Sequence, residues 1–431
     1  MRTSDRRILN SSHNSALSEM VESDIPDADY SDGIPVAVVE RAPWESPHSG
    51  GDILKIDFNP TTKIGMFGPS GSGKTIFGKA IVSRLAETGR VIYSGGDVKN
   101  DFQYMDRYGG VSKDLQKKMG LLDKEKPKEI PTKLFSPKPV LDAWGKNPSY
   151  VEPFTFGFQD LSKQDLNFVL GEGDLSGAQE TILTEVYSNV DLNDTSFEEL
   201  IDEVDEVDDA HRQSQTALRA TLKSLREEKI VSNEFRKDPI KHLNQGYSVA
   251  LGLRGYSNFS NGGMYKVQFY ASLMFRNLMN KVMDGEIDQP VCGLWAEFHR
   301  LAPASENSLL KQQLEEFFNM KQRQMDMPII LDSQAPSQIP NPDSSSQYNF
   351  LGKLSSVFLG CDRNGRPLGS VEWSKVLKSM NMQTRSNKKE WRRRIRNLDS
   401  FEFLYVNPGI HDGPRDCPVV SSLAPLVSHP S

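Results

Sequence analysis

Short apolar runs alternate with longer amphipathic stretches along most of the chain, and this predicts strands followed by helices. The first 50 residues are polar and irregular, so they read as a flexible arm, with one apolar run at 34–39 able to pair as an edge strand. Residues 51–66 alternate and lead into a buried strand ending at Phe67. Ile76, Phe77, Ala80, Ile81 and Leu85 then recur at helical spacing, and a second strand is predicted over 90–94. A short strand near Leu134 and another over 154–158 precede 161–229, which reads as helical throughout, with Leu218, Leu222 and Leu225 forming a stripe. From 246 the alternation resumes. Strands are expected at 247–253, 290–295, 328–332, 357–359 and, last, 401–406; helices are expected at 267–283 and 308–322.

Strands alternating with helices imply an α/β fold: a mainly parallel sheet with helices on both faces. The helical block interrupts that alternation and so reads as an insertion. The expected organisation is an arm (1–50), a core (51–110 and 240–410), a mostly helical insertion subdomain (111–239) and a C-terminal tail (411–431).

Composition narrows the class only a little. The 431 residues carry 51 Lys and Arg against 58 Asp and Glu, a net charge of -7, which neither announces nor excludes a nucleic-acid partner, since binding depends on local patches. Ten acids and no basic residue fall within 191–209, the pattern of a solvated acidic helix face. Cys292, Cys361 and Cys417 are far apart, odd in number and without metal-ligand spacing, as expected of a reducing, cytoplasmic setting. No apolar run approaches the roughly 18 residues of a membrane span.

One motif carries chemistry outright. Gly68-Pro69-Ser70-Gly71-Ser72-Gly73-Lys74-Thr75 satisfies G-x-x-x-x-G-K-[ST] between a strand and an amphipathic helix. Its glycines let successive N–H groups, with that of Ile76, turn toward an anion, and the helix adds its positive end. The chain thus reads as a P-loop NTPase for ATP and Mg²⁺. Lys74 is expected to reach the β- and γ-phosphates and Thr75 the Mg²⁺. Such an enzyme needs a carboxylate at another strand end. Glu297 closes the run 291–296 and is the candidate base or metal-shell residue, although Ala296 stands where a first acid usually precedes it. Asp97 and Asp101, after the second strand, and Asp332-Ser333-Gln334, after a later one, also sit at strand ends, where parallel sheets bind ligands. Gln334 is a candidate γ-phosphate sensor.

The order of these motifs resembles the HerA–FtsK superfamily of ring-forming DNA-pumping ATPases. The matching segments are Asp97-x-Lys99-x-Asp101-Phe102, Glu297-Phe298-His299-Arg300-Leu301-Ala302-Pro303, Lys321-Gln322-Arg323 and Ser333-Gln334-Ala335-Pro336-Ser337. The resemblance, over roughly 50–410, implies a RecA/FtsK-like core and an arginine finger at Arg323 reaching a neighbouring subunit's nucleotide. It also implies Asp97 or Asp101 as substitutes for the missing acid at Ala296. Residues 1–50 leave no room for the N-terminal barrel of cellular HerA proteins, a shortening that resembles the genome-packaging ATPases of membrane-containing viruses and fits a plasmid or mobile-element translocase equally. The expected function is an ATP-driven translocase on double-stranded DNA acting as a homo-oligomeric ring, with six subunits expected, and with a nuclease or a capsid or portal as partner. The setting is the cytoplasm of a cell or host, or a virion. The alternatives are a nucleotide-dependent assembly protein with weak hydrolysis and a HerA-type end-processing enzyme. DNA contact is expected from 385–396, with seven basic residues and one acid in twelve, and more weakly from a pore loop at Arg254-Gly255-Tyr256-Ser257-Asn258 flanked by Gly262 and Gly263.

Overall fold

The computed structural model describes residues 30, 32–97, 102, 105, 129–146, 148–170, 175–207, 212–255, 263–305, 308–340, 349–362, 364–382, 387–399 and 401–425. Lys99, Asp101, Tyr256, Ser257, Asn258, Gly262 and Arg385 lie outside them.

Among the described residues twelve strands form one sheet. In chain order they are β1 (Ile34–Arg41), β2 (Ile53–Ile56), β3 (Lys63–Phe67), β4 (Val91–Asp97), β5 (Thr132–Pro137), β6 (Val151–Phe154), β7 (Ser248–Gly252), β8 (Val291–Trp295), β9 (Ile329–Ser333), β10 (Ser356–Gly360), β11 (Glu402–Val406) and β12 (Val419–Ser422). Their spatial order is β2-β1-β12-β11-β10-β3-β9-β8-β4-β7-β5-β6. From β10 to β6 every pairing is parallel, and from β10 to β2 every pairing is antiparallel. The parallel strands are short and apolar because both faces are covered: all five residues of β7, β8, β9 and β10 are buried.

The alternation within each strand sorts the core into two clusters. Ile64, Met66, Leu294 and Ile330 face one side, together with Phe77, Ile81 and Leu85 of α1 (Lys74–Glu87) and Leu141 of α2 (Lys138–Trp144). Phe77 alone meets Phe358 at 4.6 Å and Phe403 at 5.0 Å between ring centroids. Removing such a ring typically costs about 3–5 kcal/mol. Phe67, Val91, Tyr93, Trp295 and Leu331 face the other side. That side is covered by α3 (Lys163–Leu170), α4 (Gly177–Asn189), α5 (Phe197–Glu206), α6 (Arg212–Glu227), α7 (Gly263–Met283), α8 (Phe298–Leu301), α9 (Leu309–Glu316), α10 (Ser370–Ser379) and α11 (Lys388–Arg396). The acidic stretch is amphipathic: Phe197, Leu200, Ile201 and Val204 of α5 turn inward at helical spacing. Its acids turn outward, Asp205 meeting Arg219 at 3.0 Å and Glu198 meeting Arg226 at 3.4 Å.

Four expectations change. The run at 34–39 is no edge of a flexible arm. It lies inside β1, which pairs with β2 on one side and β12 on the other. Its partner β12 lies within the expected tail, so 401–406 does not hold the last strand, and Arg84 of α1 reaches the tail directly, donating to the Ala424 carbonyl at 3.0 Å. A pairing between segments so distant in sequence leaves no local signal. The range 111–239 likewise contributes β5 and β6 to the common sheet, joined through β7. Finally, the helix expected over 308–322 is α9 followed by a π-helical turn, Phe317–Lys321, which swings Phe317 and Phe318 into the core.

Candidate nucleotide site

After Phe67 the chain turns through Gly68–Gly73 into α1. Gly68 N donates to the Ser333 carbonyl at 3.3 Å, so the loop is tied to the end of β9. Ser72 N closes a tight turn on the Pro69 carbonyl at 3.2 Å. Gly71 and Gly73 hold left-handed angles, φ +79° and +88°, which favour residues without a Cβ. At Gly73 a Cβ would also meet the Phe401 ring at 3.0 Å. The first turn of α1 carries no acid, so its positive end is left for an anion. Lys74 is 7% exposed and curls over the loop, donating Nζ to the carbonyls of Gly68 at 2.7 Å and Pro69 at 3.2 Å. The Ser72 hydroxyl is buried in the loop with no hydrogen-bond partner among the described residues. Pro69 and Thr75 are half-buried, Ser70 is exposed, and the Ile76 side chain is buried, which leaves its amide at the helix head as its contribution.

The facing wall comes from the ends of β8 and β9. Glu297 adopts a left-handed conformation, φ +50°, unusual for a side-chain-bearing residue and typical of strained functional positions. Its N–H donates to Asp332 Oδ1 at 3.0 Å, and its Oε1 accepts from Gln334 Nε2. Its Oε2 is buried, has no hydrogen-bond partner among the described residues and lies 3.7 Å from His299 Nδ1. His299 Nδ1 stands 2.8 Å from the Ser333 hydroxyl, which accepts from Ala335 N at 3.0 Å. Burial lowers the His299 pKa below 6.5; Glu297 opposes this, Lys74 adds to it, and Glu372 opposes it. Lys74, Glu297, His299 and Glu372 therefore share one electrostatic neighbourhood. Glu372 on α10 holds the following loop by accepting from both Ser337 N and Ser337 Oγ at 2.7 Å.

The structure thus brings Lys74, Glu297 and Gln334 together. Asp97 is buried three strands from β3, and its Oδ2 accepts from Phe102 N at 2.8 Å, the turn-closing arrangement. Arg323 is exposed and acts on Lys63, at the opposite end of β3 from the P-loop, where it joins burial and Lys353 in lowering the Lys63 pKa to about 8. Five residues of strand put Lys63 about 16 Å from Gly68, out of reach of the same chain's loop for Arg323. Sequence reasoning noted Asp332, Ser333 and His299 only as parts of motifs, and had no signal for Glu372.

Among the described residues no group of three or more His, Cys, Asp or Glu could hold a metal alone. That suits Mg²⁺, which usually takes one or two protein oxygens and completes its shell with phosphate and water. The Thr75 hydroxyl, the Glu297 carboxylate with its bare Oε2 and the buried Ser72 hydroxyl, which has no partner among the described residues, fit such a nucleotide-borne ion.

The family described as Helicase HerA, central domain, matches residues 53–265. No curated protein matches the sequence. VirB4 of Thermoanaerobacter pseudethanolicus has a similar fold, with TM-score 0.57 at 13% identity, over 93% of this chain and 98% of that one. The bacterial conjugative coupling protein TrwB, in a crystal form with sulphate, aligns at TM-score 0.49 and 11% identity over 94% and 97%. The HerA match over 53–265, with the P-loop and the mostly parallel sheet, supports a P-loop ATPase of the HerA–FtsK superfamily.

Proposed function

We propose that this chain hydrolyses ATP, with Mg²⁺, to move double-stranded DNA, working as a ring of identical subunits of the hexameric type. The observation that carries the reading is the Gln334–Glu297 contact at adjoining strand ends beside the P-loop. A carboxylate positioned by an amide next to a phosphate cradle is what hydrolysis of a phosphoanhydride needs. In this reading Gly68, Pro69, Ser70, Gly71, Ser72, Gly73, Lys74, Thr75 and Ile76 hold the phosphates. Thr75 and Glu297 are the metal-side oxygens, Asp97 standing three strands from β3, and Glu297 takes the proton of the attacking water. Gln334 orients that water. When bound, Mg²⁺ supplies charge neutralisation at the β- and γ-phosphates. Arg323, too far from its own loop, would serve the nucleotide of a neighbouring subunit.

DNA contact is supported by α11. Trp391 and Ile395 anchor it, and Arg394 is tied to the Cys417 carbonyl. Lys388, Lys389, Arg392 and Arg396 are exposed with no acidic partner among the described residues. Arg393 is paired with Glu390 at 2.6 Å. Such a face neutralises phosphates without reading sequence. Genome packaging with a capsid or portal partner and end processing with a nuclease are the two settings this activity fits, in a cytoplasm or a virion.

The second reading is a nucleotide-dependent assembly protein with weak hydrolysis, and Ala296 favours it. Turnover of ATP with and without duplex DNA, alongside native mass, separates the two. The motor reading requires stimulation by DNA and its loss in Lys74→Ala and Glu297→Gln; unchanged turnover in those variants removes the site assignment.

A further inference from the structure

Ala296 leaves the first-acid position of β8 empty of charge, yet a buried acid stands beside it. β8 and β9 pair in parallel with Trp295 level with Leu331, so the next residues, Ala296 and Asp332, are neighbours. The bond from Glu297 N to Asp332 Oδ1 confirms that adjacency. Both lie on the α1 side. Leu294 and Ile330, two residues earlier, belong to the cluster under α1, and Ala296 packs against the same cluster. On its other flank Asp332 pairs with Met66 of β3, one residue before the strand ends in the P-loop.

The side chains that flank Asp332 on this face of the strands are apolar. Met66, Ile330 and Leu294 surround it, and Asp332 is only 5% exposed. A carboxylate there is costly unless something nearby compensates its charge. Helix α1 crosses directly above: a Cβ on Gly78 would sit 3.2 Å from Met66 Cε and 4.0 Å from Leu294 Cδ1. Thr75 lies about one turn earlier on that helix, toward the carboxyl ends of the strands where Asp332 stands. Distance separates the candidates. Asp332 is one strand from β3, about 5 Å, whereas Asp97 is three strands away, about 14 Å, and already closes a turn.

We propose that Asp332 is the carboxylate that faces the nucleotide-borne Mg²⁺ with Thr75, the acid absent at Ala296 having moved sideways by one strand. The inference rests on the ATPase reading and gives it a metal ligand shell that the β8 sequence alone lacks.

The test measures ADP and ATP affinity of the full chain by calorimetry, in Mg²⁺ and in EDTA, with thermal melting as the folding control. Asp332→Asn keeps an acceptor for Glu297 N but loses the charge. It is expected to bind nucleotide in EDTA as the wild type does, and to lose about 10–100-fold of the gain that Mg²⁺ confers. The double variant Ala296→Asp/Asp332→Ala, which returns the acid to β8, is expected to recover that gain. Full Mg²⁺ enhancement in Asp332→Asn, or no recovery in the folded double variant, overturns the proposal while leaving the ATPase reading intact. A wild type that binds no nucleotide, or that binds it no better than Lys74→Ala, overturns that reading and this inference with it.

Discussion

Gln334 donates its side-chain amide to the Glu297 carboxylate, locking the ends of β9 and β8 together beside the P-loop. Glu297 is thereby held from two directions, since its own N–H is fixed on Asp332. Replacing Glu297 by Gln is expected to lower ATP turnover about 10²–10⁴-fold while nucleotide affinity stays within a few-fold, because the lost group moves a proton rather than gripping phosphate. Gln334→Ala is expected to lower kcat more than it changes KM. Steady-state kinetics on both variants decide it; a KM effect alone would assign the pair to binding.

Arg323 and the P-loop sit at opposite ends of β3, which makes a mixing experiment sharp. Arg323→Ala subunits titrated into wild-type protein are expected to depress activity more steeply than their mole fraction, because a ring of coupled sites stalls when one site loses its neighbour's arginine. Wild-type activity unimpaired by the added variant would remove the inter-subunit role.

The exposed cations of α11 predict a salt signature. Changing Lys388, Lys389, Arg392 and Arg396 to Gln should weaken duplex DNA binding regardless of sequence, and should reduce the slope of log affinity against log salt by about 3 to 4. Fluorescence anisotropy across a salt series reads both quantities. Unchanged slope would move the DNA track elsewhere.

His411 gives a pH prediction for stability. It is buried, Asn407 N donates to its Nδ1 at 3.1 Å, and burial with the nearby His48 lowers its pKa to about 4. An unfolded imidazole takes a proton near 6.5, so between pH 6.5 and 4 the unfolded chain binds the extra proton and the folded state loses stability as pH falls. His411→Asn is expected to flatten the decline of Tm over that window. Identical slopes in the two proteins would remove His411 from the acid response.

Gly95 in β4 lies against the indole of Trp295 on β8, and a Cβ there would collide with that ring. Trp295 is fully buried between Tyr93 and Phe275 and cannot swing away. Gly95→Ala is expected to cost about 1–3 kcal/mol of stability, by denaturant unfolding, and to shift Glu297 two residues downstream of the displaced tryptophan.

What the sequence disclosed follows the range of its signals. The P-loop was legible because its chemistry sits in eight consecutive residues. The parallel strands were legible because burial on both faces makes them uniformly apolar. Glu297 and Gln334 were legible as strand ends, but their contact was not, because it depends on which strands are neighbours. For the same reason Asp332 could not be matched with Ala296: 36 positions separate them in sequence, and only the β8–β9 register joins them. Glu372 gave no signal, since a helix-start acid is ordinary until Ser337 is seen in contact with it.

The pairing of β1 with β12 has a consequence for the order of events in synthesis. Ala37 finds its second partner, after Leu54, only at Ser422, and Gly73 meets the Phe401 ring from far along the chain. Contacts so distant in sequence form late, after their loop entropy has been overcome. A nascent chain whose P-loop has emerged is therefore still without the backing that shapes it. The capacity to bind nucleotide then follows the synthesis of β11 and β12, and a nascent chain that stops short of them is kept from acting on ATP by its own topology.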